Sequence, residues 1–251
     1  MSKEWQRVHN MRKGYINKWS VKIQRSLKVQ AVDVVKELGV IPPHEVVERI
    51  DGLIHSTVIR EDLKRLYPDV GVDFARATLT RKAQDPIYDI WEAEMRSYAE
   101  NDVFMRLRME AMTVTSQNLA RNVLKKLILE ETLEQGMGIE EIAKRFQKRF
   151  SKEYGKYDLW RARRIAQTEV ISASNKGNHL AMYELGAVGK RWLTGGVPET
   201  IRHQGYPGLE GQERAVNEPF YVGGYPAQYP GDPGLPPEES INCHCVSIPI
   251  T

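Results

Sequence analysis

The tripeptide Cys243-His244-Cys245 holds both cysteines of the chain. Thiolates bind soft and borderline metals tightly, and an i, i+2 pair offers two of them from one short stretch. A disulfide between the same residues would be strained, because an extended chain holds their Cα atoms near the upper limit of disulfide reach. A structural zinc site takes four nitrogen or sulfur ligands. Cys243, Cys245 and His203 are the candidate metal ligands, with His244 or Asp232 as the candidate fourth. Such a site would pin both ends of a loop-rich stretch, residues 195–242. The plainer alternative makes both cysteines small buried apolar side chains and His203 a hydrogen-bonded one. The residues leave both readings open.

The remaining chemistry-bearing residues point away from catalysis. No nucleophile–base pair and no carboxylate cluster stands out, so no catalytic residue is assigned and no enzymatic activity is expected. Glu169 lies at the margin of an apolar helix face made by Ile165, Ala166, Val170 and Ala173. Such a carboxylate is expected to pair with an arginine, and Arg164 and Arg202 are at hand. With Asn175 these define an expected polar network, Arg164, Glu169, Asn175 and Arg202, tying helix to loop. The glycines of GYPGLEG and YVGGYPAQYPGDPG lack the strand–loop–helix setting and the GK[ST] ending of a phosphate loop, so they signal turns. Tyr206, Phe220, Tyr225 and Tyr229 are expected to pack those turns rather than stack on bases.

Long helices must position these groups. Residues 3–38 read as a basic helix or helix pair, stopped by Gly39 and Pro42-Pro43. Residues 44–54 form a second helix. Beyond Ser56 the pattern weakens, and Pro68 and Pro86 are expected to interrupt any single long helix. Residues 87–110 and 113–135 read as two long helices. In the latter, Ala120, Val123, Leu124, Leu127 and Ile128 make one apolar face. Gly136 and Gly138 end it. A short helix then repeats that spacing through Ile139, Ile142, Ala143, Phe146 and Phe150. Its other face carries Lys144, Arg145, Lys148 and Arg149, a solvated surface or a phosphate-contacting one. Asp158 caps a further helix over residues 158–185, stopped by Gly186. Short strands are expected around Trp192 and over the closing VSIPI, where Pro249 confines the strand to a sheet edge or end.

The fold class is therefore α+β: a mainly α-helical N-terminal region and a small loop-rich C-terminal domain with a few short β-strands. A chain of 251 residues can bury a substantial core. Its net charge of +3 does not announce a nucleic-acid binder. No apolar run approaches a membrane span, and residues 1–19 carry positive charge without the apolar segment of a secretory signal. Two cysteines are too few for a disulfide scaffold, so synthesis in a reducing cytoplasm is expected.

One ordered set of motifs is more specific. RRIAQTEVISASNKG is followed by RWLTG, ETIRHQGYPGLEGQ, NEPF, YPGDP and INCHC. This order resembles the phage Mu F-like head morphogenesis family of tailed-phage minor head proteins. The motifs span residues 115–251, and the helical N-terminal region also suits the family. The resemblance implies residues 1–110 as a helical region for portal or capsid docking, and residues 111–251 as the head morphogenesis domain. It implies a structural protein of the phage head or virion, made in the bacterial host cytoplasm. Such a protein associates with the portal protein, and in some cases with major capsid or scaffold protein, and assists head assembly, DNA packaging or genome delivery. Contact with packaged DNA fits the same picture, although no nucleic-acid-contacting residue is assigned. Two alternatives belong to other classes. One is a metal-dependent nuclease or other nucleic-acid hydrolase using His203, Glu169 and Asp232. The other is a DNA-binding module using the basic helices.

Overall fold

The computed structural model describes residues 2–79, 87–130, 139–203 and 208–251. It is an α+β chain, mainly helical, with short antiparallel strands toward its C-terminal end. The first helices are α1 (Lys3–Gln30), α2 (Val32–Glu37), α3 (Pro43–Leu53) and α4 (Thr57–Leu79). Then come α5 (Ile87–Asn101), α6 (Val103–Glu130), α7 (Ile139–Gly155) and α8 (Asp158–Glu184). The later elements are β1 (Gly189–Leu193), a 3-10 helix Pro198–His203, β2 (Glu213–Ala215), β3 (Phe220–Val222), β4 (Tyr225–Ala227), α9 (Pro237–Ser240) and β5 (Val246–Ile250). Among the described residues, no helix is long and apolar enough to cross a membrane.

Two compact units are interleaved along the sequence. One comprises Met1–Ser20, Leu63–Arg106 and Arg164–Thr251; the other comprises Val21–Asp62 and Leu107–Arg163. In the second unit, the expected apolar faces meet. Val34, Val46 and Ile50 pack with Ala120, Val123, Leu124 and Leu127 of α6 and with Phe146, Phe150 and Tyr154 of α7. The i, i+4 spacing of the α7 residues stacks them on one side of the helix, which fixes its rotation.

Two helix boundaries differ from the sequence expectation. Pro68 lies inside α4. It removes one intrahelical hydrogen bond and costs about 3 kcal/mol. Leu63, Leu66, Tyr67, Val70, Phe74 and Ala75 are all buried on either side of it. At roughly 1.5–3 kcal/mol for each large apolar side chain, that burial outweighs the proline. The break expected near residue 111 falls instead at Asp102, whose Oδ1 accepts a hydrogen bond from the Met105 backbone N–H at 3.0 Å. This is an N-cap, and it starts α6 where hydrophobic periodicity alone saw no interruption. Pro86, Gly136, Gly138 and Tyr206 lie outside the described residues.

Gly186 does end α8. At φ 63° it lets its own N–H reach the Tyr183 carbonyl (3.1 Å) while the Ala187 N–H reaches the Met182 carbonyl (3.1 Å). That pair of bonds is a Schellman cap. The chain then enters β1, the middle strand of a sheet ordered β2-β1-β5. β1 and β5 run antiparallel, with Leu193 opposite Val246, Trp192 opposite Ser247 and Lys190 opposite Pro249. Pro249 thus sits on an outer strand, where a missing N–H is tolerated. Within the stretch expected to be loop, β3 and β4 form a hairpin turned by Gly223 and Gly224 at φ 58° and 88°. Two successive positive φ values are what a two-residue hairpin turn requires, and glycine supplies them without steric cost.

His179 of α8 is buried against the rings of Tyr183 and Tyr229, at 5.2 and 5.7 Å, and its Nδ1 has no hydrogen-bond partner. Burial, with Lys190 and Lys176 adding to it, pushes its pKa down from 6.5 to about 3. Between those two values the unfolded chain binds a proton that the folded chain refuses. Stability is therefore lost as pH falls through this window, by about 1.4 kcal/mol per pH unit at most. The variant His179→Phe should lose less stability than the parent on acidification from neutral pH toward that lower value. Urea melts across the window check this, and parallel stability–pH curves for the two proteins would contradict it.

Candidate metal centre

The pairing of β1 with β5 brings together the residue after β1 and the residue before β5. Cys245 immediately precedes β5, and the 3-10 helix begins five residues after β1 ends. The Thr200 hydroxyl donates to the carbonyl of Thr194 or Val197, both at 2.8 Å, and so fixes the start of that helix. His203 closes it. On the other side, α9 leads into Asn242, the one described non-glycine residue at positive φ (55°). Asparagine tolerates this left-handed conformation, and the turn sends the next three residues back toward β5. In a locally extended chain, residues i and i+2 point to the same side. Cys243 and Cys245 accordingly face inward together, while His244 faces the other way, with its Nε2 2.8 Å from the Gln167 amide nitrogen.

His203 Nδ1 stands 3.3 Å from Cys245 Sγ and 3.6 Å from Cys243 Sγ. A tetrahedral ion about 2.3 Å from sulfur and about 2.0–2.1 Å from nitrogen would hold N and S about 3.5 Å apart. The three ligand atoms all lie within 4.8 Å of one another. His203 Nε2 is 2.9 Å from Glu239 Oε2. A ring nitrogen bonded to a carboxylate, with the other ring nitrogen turned toward the ligand set, is the arrangement that fixes tautomer and orientation of metal-bound histidines. The donor set therefore fits a metal ion. All three side chains are buried, with Cys243, Cys245 and His203 exposing 1, 0 and 3% of their surface.

The electrostatics of the cluster favour ligand formation. Cys243 is held well below the usual thiol range by a hydrogen bond from Cys245, with His203 assisting against the penalty of burial. Burial, and then Cys243, push Cys245 well above that range. Burial pulls His203 down, but Cys243 and Glu239 together leave it above its ordinary value. Thiolate ligands bind a cation only after losing their protons, so binding at this cluster would release protons.

A second layer holds the tripeptide by its backbone. Asn175 Nδ2 donates to the carbonyls of Cys245 (3.1 Å) and Pro230 (2.9 Å), and its Oδ1 accepts from the Ser247 N–H at 3.3 Å. Arg12, itself buried, donates to the Cys245 carbonyl at 3.0 Å and to Ser174 Oγ at 2.8 Å. Burial lowers its pKa to about 10, against the pull of the two cysteines, so it stays charged at neutral pH. Trp5 Nε1 donates to the His244 carbonyl at 3.1 Å. The sulfurs belong to a core that also contains Trp192, Leu209, Phe220, Val222, Ala227 and Leu235. Trp192 meets His203 edge-on, with ring centroids 6.0 Å apart and planes at 90°.

The sequence-derived ligands His203, Cys243 and Cys245 are brought together. The two candidates for a fourth ligand are not. Asp232 is engaged in a turn, its two oxygens accepting from the Gln228 and Gly234 N–H groups, and His244 faces Gln167. The residues expected to form one polar network have the following settings. Asn175 holds the backbone at Cys245 and Ser247. Glu169 is buried and accepts from the Tyr67 hydroxyl at 2.9 Å. Arg164 is exposed on α8. Arg202 donates to the carbonyls of Glu239 (3.3 Å) and Ile241 (3.0 Å), beside the centre. Of the turn aromatics, Phe220 and Tyr229 are buried while Tyr225 is half exposed. Sequence reasoning missed Glu239 and Arg12. Glu239 stands four residues before Cys243 in a proline-led turn that carried no ligand signal, and Arg12 lies at the opposite end of the chain.

No family model matches this chain, and no solved structure does. The uncharacterized protein YqbB of Bacillus subtilis (strain 168) is 31% identical over 126 residues, covering 49% of this chain and 40% of that protein. The chain thus spans less than half the length of the curated relative it matches.

Proposed function

We propose that the chain is a structural minor head protein of a tailed phage or prophage, associating with the portal and assisting head assembly or genome delivery, and that His203, Cys243 and Cys245 hold a structural zinc. One observation carries this reading. The motifs that resemble the head morphogenesis family, scattered from residue 163 to residue 245, converge on one buried centre. Asn175 from the first motif bonds the carbonyls of Pro230 and Cys245 from the last two. Trp192 from the second motif contacts His203 from the third and Phe220 from the fourth. Zinc suits two thiolates and an imidazole, and it would tie the 3-10 helix to the segment preceding β5. Major capsid or scaffold protein and packaged DNA are further partners consistent with this role.

A metal-dependent hydrolase is the second reading. Three protein ligands among the described residues leave a fourth position for water, as catalytic zinc requires. Burial of all three ligands argues against it, because a substrate bond must reach the metal-bound water. The primary reading is tested by co-expression with the portal protein of the same genome, followed by size-exclusion chromatography. Co-elution is expected. Separate elution at micromolar concentration, with both proteins folded, overturns the portal association. Metal-dependent cleavage of DNA or RNA, lost on His203→Ala, would exchange the two readings.

A further inference from the structure

We propose that the exposed face of α7, together with the turn and first helical turn of α8 that follow it, is a docking surface for a nucleic-acid strand. This inference does not depend on the phage-head reading. Between residues 144 and 163 the sequence carries eight lysines and arginines against two acidic residues, a surplus of six positive charges. The whole chain carries only +3, so the remainder is net negative. The buried members of the segment, Arg161 and Asp158, offset one another; Arg149 pairs with Glu130 and Lys156 with Glu153, while Lys144, Lys148, Lys152 and Arg163 are exposed.

Packing fixes the orientation of this charge. Phe146, Phe150 and Tyr154 are locked in the core. Lys144, Lys148 and Lys152 sit two residues ahead of or behind them, about 200° round the helix, and all three are exposed. They form a row about 12 Å long, the reach of three or four successive phosphates of one duplex strand at about 3.4 Å each. None of the three has an ion-pair partner among the described residues. A helix face built only for solvation alternates its charges at i, i+4, as α5 does with Glu92 and Arg96. Here the intervening positions on the same side are lysine after lysine, and no acidic residue stands between Glu141 and Glu153. Each like-charge pair costs the helix a few tenths of a kcal/mol. An anionic partner would turn that cost into attraction.

Two exposed aromatic residues follow the row in sequence, Tyr157 in the turn after α7 and Trp160 in the first turn of α8, and they bear on the partner. Tyr157 and Trp160 expose 48 and 60% of their surface, and Arg163, three residues after Trp160 on α8, is also exposed. A row of cations followed along the chain by exposed flat rings is the composition of a surface that tracks phosphates and stacks bases. An acidic protein patch would use the lysines but leave both rings without a matching function.

The test uses the full chain purified without chelator and fluorescein-labelled oligo-dT or duplex DNA, read by fluorescence anisotropy. Binding is expected at low salt and should weaken steeply between about 50 and 200 mM salt. The triple variant Lys144→Gln, Lys148→Gln, Lys152→Gln should lose at least about tenfold in affinity, and its salt slope should fall by about 2–3. Trp160→Ala should weaken binding of oligo-dT by about 5- to 150-fold, the equivalent of one lost stacking contact, and leave the salt slope unchanged. Both variants alter exposed side chains, and unchanged thermal melts confirm that the fold is retained. The proposal is overturned if neither DNA binds at low salt, if the triple variant binds like the parent, or if phosphatidylserine–phosphatidylcholine vesicles bind while DNA does not. Duplex binding that is indifferent to Trp160, with no binding of oligo-dT, overturns the stacking role.

Discussion

Protein purified without chelator should contain about one zinc ion per chain, and the double variant Cys243→Ser, Cys245→Ser should contain none. The same variant should be cut rapidly by protease within residues 195–245 while its helical circular dichroism signal persists. The physical basis is the cost of order. This stretch has few aliphatic side chains, and fixing each residue costs on the order of 1–2 kcal/mol of backbone entropy. Its small core repays part of that cost, but both sulfurs belong to that core. A zinc ion adds an apparent binding free energy of about 10 kcal/mol or more where ligands are supplied by folding itself. Removal of the thiolates takes away both contributions at once. Glu239→Gln gives a graded version. It keeps all three ligands and loses only the carboxylate that orients His203, so zinc affinity should fall by about 10- to 100-fold with one-to-one stoichiometry retained. A metal-free parent whose loop resists protease no better than the double variant would overturn the account.

The buried cluster of His203, Cys243 and Cys245 was legible in the sequence because its signal is local in chemistry. Cysteine appears nowhere else, and the i, i+2 spacing directs two thiols to one side wherever the chain is extended. His203 could be joined to them because strands around Trp192 and Val246 were expected at the two ends of the same stretch. Their antiparallel pairing is what closes it. Helix periodicity, the Asp158 start and the Gly186 stop were legible for the same reason, since each depends on a few neighbouring residues. What escaped depends on distance. Arg12 reaches the Cys245 carbonyl across 233 positions of sequence, and no local pattern announces such a bond. Pro68 was misjudged because its cost is local while the compensating burial of Tyr67 and Val70 is tertiary. The β3–β4 hairpin is a different case. Its signal, two glycines between Val222 and Tyr225, was present and was absorbed into a general expectation of turns.

Substitution of Gly177 by alanine should cost about 1–2 kcal/mol net, although alanine is the better helix former by about 1 kcal/mol. Gly177 lies in α8, and a Cβ built there would stand 2.6 Å from the Gly71 carbonyl carbon and 2.8 Å from the Gly71 Cα. Those atoms are backbone of α4, so no side-chain rotation can relieve the overlap. The two helices would have to separate, and α8 carries Asn175 two residues away, with its three hydrogen bonds to Pro230, Cys245 and Ser247. Movement of α8 therefore strains the backbone of the candidate ligand cluster as well as the helix contact. Gly14 in α1 is the matched control, because a Cβ there meets nothing within 4 Å. Gly14→Ala should stabilise by about 0.5–1 kcal/mol through helix propensity and reduced freedom of the unfolded chain. Urea melts of the two variants beside the parent measure the difference. Opposite signs, together with weaker zinc retention in Gly177→Ala alone, are the expected result. Equal effects of the two substitutions would show that the α4–α8 contact does not set the position of Asn175.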